Sequence, residues 1–532
     1  MAENRRRDAP APQHNAVEEE MGARHVMVLD EGTTSTRAVL FDDRSRVVAS
    51  SALPLGITTH PDGRVEQDPV ELWAASQSVI SDVVDFAANG GLEIAALAIA
   101  VQRTTTVLWD AETGHPVAPV INWQDTRAAA RVAELSGQWA ERAKAASGLV
   151  FGTAHLGLHL DALFAKDTGL RDLAARGRLR IGTPETWITW KLTGGTDGGV
   201  FATSTSCAGS TGILDLGTGR WWQEILDEFG ISRASLPQVL PEDADYGTTR
   251  EDLIGARIPI TGVMGDQQAA LYGHGGFPTG TVKCTHGTGS FIDFNVGPDP
   301  VDAGNGLDCR IAWTTAGSRV HVVEGGSFVT GSGVDWMVDQ MGVLPAADQI
   351  DTVYAQGRAD TGLISIPALA GFAAPYWDST ARGMMIGFNR GTSAADVVRA
   401  TIDGIAHTVV DVIETMACNT GTNPSVVWVD GGLGRSDALL QSQADLLQIP
   451  VIRAADAEFV TARGAAWCAG IARGVWADEE AAAATKHEGE KFTPRMSRNE
   501  RDALRTAWRD AVSRTLGWRR AQLPSTPSAS LS

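Results

Sequence analysis

Two stretches of this chain follow one plan, and that repetition constrains the fold more than any other feature. Val26 to Leu29 is an apolar run, Glu31-Gly32-Thr33-Thr34-Ser35 a small hydroxyl-rich bend, and Ala38 to Phe41 a second apolar run. It reads as strand, tight turn, strand. Gly32 lets the backbone approach a ligand without a Cβ in the way, and Thr33, Thr34 and Ser35 offer amides and hydroxyls that donate to phosphate oxygens. Asp30, at the end of the first strand, is placed to hold a magnesium ion through water. Thr281 to Phe294 repeats the plan around Gly287-Thr288-Gly289-Ser290. One such bend alone is an ordinary hairpin turn. A second copy about half a chain away points to two related lobes, each presenting a phosphate-sized bend to a shared cleft, and the spacing is too long for a solenoid.

The chain's 532 residues exceed one hydrophobic core and imply two large domains. We place them at 24–274 and 275–520, with 1–23 and 521–532 expected to be disordered tails, the first polar and opened by Arg5-Arg6-Arg7, the second rich in Pro and Ser. The formal charge of −20 argues against nucleic acid or an anionic membrane surface as partner, because both need a basic footprint. No apolar stretch approaches the roughly eighteen residues of a membrane span. The five cysteines are scattered and form no C-x-x-C pair, which suits a reducing cytoplasm and indicates neither a disulfide framework nor a zinc site. No G-x-x-x-x-G-K-[ST] occurs, so a P-loop is disfavoured.

Along the first half, Val47 to Leu55 reads as a strand, and Asp68-Pro69-Val70-Glu71 opens a helix from about Pro69 to Ala87. Leu92 to Val101 is a continuous apolar run, the mark of a strand covered on both faces, and Gln102-Arg103-Thr104 leave its carboxyl end, where open α/β sheets put their sites. Val120 to Trp123 is a second short run. His155 and His159 are four apart, but with no acid at companion spacing they read as polar surface positions rather than metal ligands. Ile258 to Leu271 is a strand that breaks at glycine and starts a helix. Asp266 sits at the break, either as a helix cap worth ~1 kcal/mol or as a base projecting into the cleft, and its position beside the second bend favours the cleft.

In the second half, Val322 to Gly326 and Leu363 to Ala368 read as strands around a helix near Val334 to Gln340. Ser393 and Asp396 have capping-box spacing and open a helix to about Met416 with Ile402, Ile405, Val409, Val412 and Met416 as its core stripe. Val426 to Asp430 is a buried-strand run feeding Gly431-Gly432 and a helix through Leu447. A glycine turn at a helix N-terminus is a third place for an anion.

Taken in order, Asp30-Glu31-Gly32-Thr33-Thr34-Ser35-Thr36-Arg37, Gly265-Asp266-Gln267-Gln268-Ala269-Ala270-Leu271, Gly287-Thr288-Gly289, Ala374-Pro375-Tyr376-Trp377-Asp378 and Val429-Asp430-Gly431-Gly432 carry a resemblance. From about His25 to Trp518 the chain resembles the FGGY carbohydrate kinases, most of all the glycerol kinases among them. The resemblance implies an α/β fold of two ribonuclease H-like, actin-like ATPase domains closing on ATP and Mg²⁺, and transfer of a phosphoryl group to a small polyol. It implies Asp266 as catalytic base. Arg103, Trp123, Asp266, Gln267 and Phe291 match its polyol pocket, two polar groups and two aromatic walls among them. Thr33, Thr34, Ser35 and Arg37 match the first phosphate hairpin, Gly287 and Thr288 the second, and Gly331 and Gly432 positions beside ribose and adenine.

The chain departs from that pattern at four places. Asp335 stands for a usual Gln and Ser436 for a usual Asn at the nucleotide. Thr104 stands for a glutamate and Ala154 for a tyrosine at the polyol, with His155 the neighbour if the match slips by one. Two polar partners are lost and the pocket widens, so a four-carbon tetritol is an alternative to glycerol, and a pentulose a further one. A non-catalytic, nucleotide-gated sensor is the alternative of a different class, since fold alone does not exclude it. Arg257 matches a regulatory sugar-bisphosphate loop whose surrounding glycines are mostly absent here. Dimers or tetramers are common among the resembled proteins.

Overall fold

The computed structural model describes residues 24–304, 306–487 and 489–518. The two expected tails, 1–23 and 521–532, lie outside the described residues.

The first lobe is built on five strands: β1 (Arg24–Glu31), β2 (Ser35–Phe41), β3 (Val47–Pro54), β4 (Glu93–Val101) and β5 (Ile260–Gly265), in the order β5-β4-β1-β2-β3. β1, β2 and β3 are antiparallel neighbours, whereas β4 and β5 run parallel to β1. Helix α1 (Pro69–Gly90) connects β3 to β4. Asp68 caps it by accepting from Val70 N at 2.8 Å, and Gly91 in the left-handed region ends it, three residues beyond the sequence estimate. Leu72, Val79, Ile80 and Val83 of α1 cover one sheet face against Met27, Leu29, Leu97 and Ile99.

The second lobe repeats this frame. β6 (Thr281–His286), β7 (Ser290–Gly297), β8 (Asp308–Thr315), β9 (Ser318–Ser327), β10 (Val426–Asp430), β11 (Val451–Arg453) and β12 (Glu490–Phe492) lie in the order β8-β9-β7-β6-β10-β11-β12. β6 pairs antiparallel with β7 and parallel with β10, as β1 does with β2 and β4. The long helix Ala394–Thr420 starts at a full Ser393/Asp396 capping box, and its stripe Ile402, Ile405, Val409, Val412 and Met416 has no exposure. The duplicated hairpin thus produces two ribonuclease H-like sheets, the actin-like arrangement the resemblance implies.

One long-range feature joins the lobes. The helix Val460–Ala472, from the second half of the chain, lies on the other face of the first sheet, where Ala462, Ala465, Ala466 and Ala469 meet Val26, Val28, Ala96, Ala98 and Ala100. That coverage is why Leu92 to Val101 reads as a continuous apolar run. The same helix crosses Asp266–Gly273 at almost no separation, since a Cβ built on Gly464 would stand 1.8 Å from Ala269 O. Small residues on both sides let the backbones touch. Among the described residues no helix is long and apolar enough to cross a membrane.

Candidate functional site

The strand β5 ends at Gly265 and the helix Asp266–Gly273 begins at once, so Asp266 is the first residue of the helix and Gly265, without a side chain to donate to, is the cap. Asp266 therefore does not spend its carboxylate as the N-cap. Its Oδ1 accepts from Gln267 N at 2.7 Å and lies 3.3 Å from Arg103 Nε, with the side chain 30% exposed. Arg103 stands where expected, just past the carboxyl end of β4, and its other end donates to Glu324 of β9 at 2.6 Å. Arg103 thus spans the cleft between the lobes. Gln267 Nε2 is 3.5 Å from Asp266 Oδ2, and Gln267 Oε1 accepts from Lys283 of β6.

The two bends converge through aromatic side chains. Trp123 Nε1 donates to Thr33 Oγ1 of the first bend at 2.9 Å, and its ring stands edge-on to Phe291, centroids 6.1 Å apart. Phe291 follows the second bend directly and remains 37% exposed. An apolar wall therefore runs from one bend to the other. Thr34 and Ser35 are exposed at the first bend, which Gly32 N closes by donating to Ser35 O at 2.9 Å. Arg37 pairs in register with Asp30, and its guanidinium lies over Phe459 at 5.4 Å.

Asp30 sits beside Asp266. Burial and, after it, the Asp266 carboxylate push Asp30 up to about 6 against the pull of Arg37. Two carboxylates at the mouth of a phosphate-sized bend are an electrostatic arrangement that a divalent cation relieves. Among the described residues no cluster of three or more His, Cys, Asp and Glu side chains is arranged to hold a metal.

The residues expected at the nucleotide meet in one cavity of about 400 Å³ lined by Gly287, Thr288, Gly331, Asp335, Gly432 and Ser436, which come from three separate parts of the sequence. Its size suits a nucleoside. Gly331 N donates to Gly287 O at 3.0 Å, and a Cβ at Gly331 would stand 2.7 Å from that oxygen, so glycine is needed for the bend and the helix Gly331–Asp339 to touch. At Gly432 a Cβ would meet no atom within 4 Å, which leaves the backbone bare where it lines the cavity. Ser436 caps Asp437–Leu447 and donates to Asp351 Oδ1 at 2.7 Å. Asp348, Asp351 and Arg435 also line this cavity and were not read from the sequence, because nothing local distinguishes them from surface charges.

The polyol-side departures are placed as follows. Thr104 is half-buried in the left-handed region at φ 56°, with its hydroxyl donated to Arg103 O at 2.7 Å. A β-branched residue there stores strain of the kind found at ligand sites. Ala154 is half-buried. His155 and His159 correct the surface expectation, for they are 5% and 0% exposed. His155 Nδ1 accepts from Gly157 N to cap Leu156–Lys166, and its ring packs on Phe151 and Phe229. Among the described residues it makes no hydrogen bond or ring contact with Trp123, Phe291, Arg103 or Asp266, so it does not replace the lost tyrosine hydroxyl. Burial lowers both rings, to about 3 and about 4, and keeps them neutral. An imidazole that spends one nitrogen on a cap or on Thr106 fits a core that a charged side chain would not.

Comparison with known proteins agrees with this fold. The model of the FGGY family of carbohydrate kinases, N-terminal domain, matches residues 25–273, and that of its C-terminal domain matches 282–473. Glycerol kinase 2 of Thermotoga maritima is 38% identical over 496 residues, 93% of this chain and 99% of that one. The glycerol kinase of Symbiobacterium thermophilum is 39% identical over 499 residues, 94% and 99% of the two chains. Among solved structures, Plasmodium falciparum glycerol kinase with ADP superimposes with a TM-score of 0.89 at 26% identity, over 93% of this chain and 99% of that one. A gluconate kinase from Lactobacillus acidophilus shares the fold, with a TM-score of 0.81 at 22% identity over 93% and 99%.

Proposed function

The chain belongs to the FGGY family of carbohydrate kinases, enzymes that use ATP, and on that footing we propose that it phosphorylates a primary hydroxyl of a small polyol, glycerol to glycerol 3-phosphate first among them. The observation that carries the reading is Asp266, held by Arg103 at the mouth of a cleft whose apolar wall, Trp123 and Phe291, links the two phosphate-sized bends.

In this reading the carbon backbone of the polyol lies along Trp123 and Phe291, and its hydroxyls bond to Arg103, Gln267 and Asp266. The reacting hydroxyl gives its proton to Asp266 as its oxygen bonds to the γ-phosphorus, and the bond from that phosphorus to the bridging oxygen breaks to release ADP. Most of the acceleration comes from positioning and charge stabilisation, which the amides and hydroxyls of Thr33 to Ser35 and of Gly287 and Thr288 supply. Magnesium, when bound, neutralises the phosphates, and Asp30 is the residue placed to hold it through water.

A four-carbon polyol is the second reading, favoured by Thr104 and Ala154. The Thr104 hydroxyl is already committed as a donor to the Arg103 carbonyl, so the glutamate it replaces is not mimicked, and both side chains leave room. The test is kcat/KM with ATP and magnesium for glycerol, erythritol, threitol and xylitol. Glycerol activity less than tenfold over background rejects glycerol. A tetritol preferred tenfold, and lost on Thr104→Glu, establishes the second reading.

A further inference from the structure

The cleft contains a buried ion pair that the chemistry above does not use. Lys283 and Asp293 are direct cross-strand partners on β6 and β7, with exposures of 0% and 1%, and Lys283 Nζ lies 3.0 Å from Asp293 Oδ2. Taking both charges out of water is costly, and an apolar pair of the same volume is often no less stable. Stability alone therefore does not account for them. What the pair touches is Gln267, whose Oε1 accepts from Lys283 Nζ.

An ammonium group has three donors and no acceptor, so it fixes which end of the Gln267 amide faces it. The oxygen is drawn to Lys283, and Nε2 is turned toward Asp266 Oδ2, 3.5 Å away. The flipped amide would set N–H against the ammonium and oxygen against the carboxylate, both repulsive. In the fixed orientation a hydroxyl entering between Asp266 and Gln267 donates to the carboxylate and accepts from Nε2. Asp293 balances Lys283 from within the same sheet, whereas Glu324 balances Arg103 from across the cleft. Resting on the polyol reading of this cleft, we propose that the Lys283–Asp293 pair is a positioning element that orients the Gln267 amide so that Asp266 and Gln267 together receive the reacting hydroxyl.

The experiment uses the full chain with Lys283→Met and Asp293→Leu combined, which removes both charges at similar volume. Expected are a melting temperature at or above wild type, a polyol KM raised about tenfold (~1.4 kcal/mol), and an ATP KM within about twofold of wild type. Gln267→Leu alone should raise the polyol KM by a similar factor, and combining all three substitutions should add little, because both routes act through one amide. If the apolar pair does not fold, Asp293→Asn, which keeps the volume and an acceptor for Lys283, should still raise the polyol KM about threefold with no change for ATP. A stable variant with the wild-type polyol KM overturns the proposal, as do fully multiplicative effects or an unchanged Asp293→Asn. A wild-type chain inactive on every polyol overturns this proposal and the polyol reading together. An active wild type with an unaltered variant overturns this one alone.

Discussion

Glu31→Gln probes the electrostatics of the first bend. The Glu31 side chain is fully enclosed, its Oε2 accepts from Ser76 Oγ of α1 at 3.0 Å, and its Oε1 has no partner among the described residues. Burial outweighs the hydroxyls of Thr36 and Ser76 beside it and pushes Glu31 from 4.5 up to about 8. The folded chain then keeps this proton up to about pH 8, whereas the unfolded chain releases it near 4.5, so stability falls as pH rises between those values and levels off above them. A gap of about 3.5 units at ~1.36 kcal/mol each bounds the loss at ~5 kcal/mol, and relaxation around a buried carboxylate makes about half of that the working figure. Glutamine keeps the shape and does not titrate. For a chain of this size unfolding entropy is about 1 kcal/mol per degree, so Glu31→Gln should gain roughly 2–3 °C on wild type between pH 5 and pH 8.5. Thermal melts of both proteins across that range measure the difference. A difference that stays constant with pH, or that moves in favour of wild type as pH rises, would mean that Glu31 is ionised in the folded chain and would refute the reasoning. A neutral Glu31 also matters to the cleft, because it removes one negative charge from beside the bend proposed to receive phosphate.

Asp266→Ala should lower kcat by ~10²- to 10⁴-fold, the usual cost of losing a general base, while ADP titration gives an affinity close to wild type. Asp30, raised to about 6, binds its proton below that pH, so the magnesium concentration needed for half-maximal rate should climb as pH falls through 6; Asp30→Asn should need more magnesium at every pH and lose that pH dependence. Gly464→Ala places a Cβ 1.8 Å from Ala269 O, which forces Val460–Ala472 off the helix that begins at Asp266; a loss of ~1–3 kcal/mol in denaturant titration is expected, with a fall in kcat.

What the sequence conveyed and what it withheld divide along the range of the interactions. The hairpins, the Ser393 capping box and the run Val426–Asp430 are encoded by neighbours in the chain, and each appears at its expected place. Bends of glycine and hydroxyl residues are legible because backbone freedom and donor chemistry are local properties. The site residues Gly287, Gly331 and Gly432 were found through the resemblance, and the structure brings them to one cavity although more than a hundred residues separate the first from the last. The helix Val460–Ala472 went unread because its alanines have meaning only against Ala96, Ala98 and Ala100 on a strand more than three hundred residues earlier. His155 and His159 misled for the converse reason: histidine is polar in composition, yet a neutral ring with one nitrogen on a helix cap or a threonine is an acceptable core residue. Lys283 and Asp293 alternate along their strands with Val282, Cys284, Ile292 and Phe294, which pack in the core, so their positions read as a polar face, and yet the fold encloses both. Two charges enclosed on that face mark a place where packing alone does not decide the residue. Here both charges sit behind the amide that faces Asp266, and only the fold shows that the face carrying them is covered.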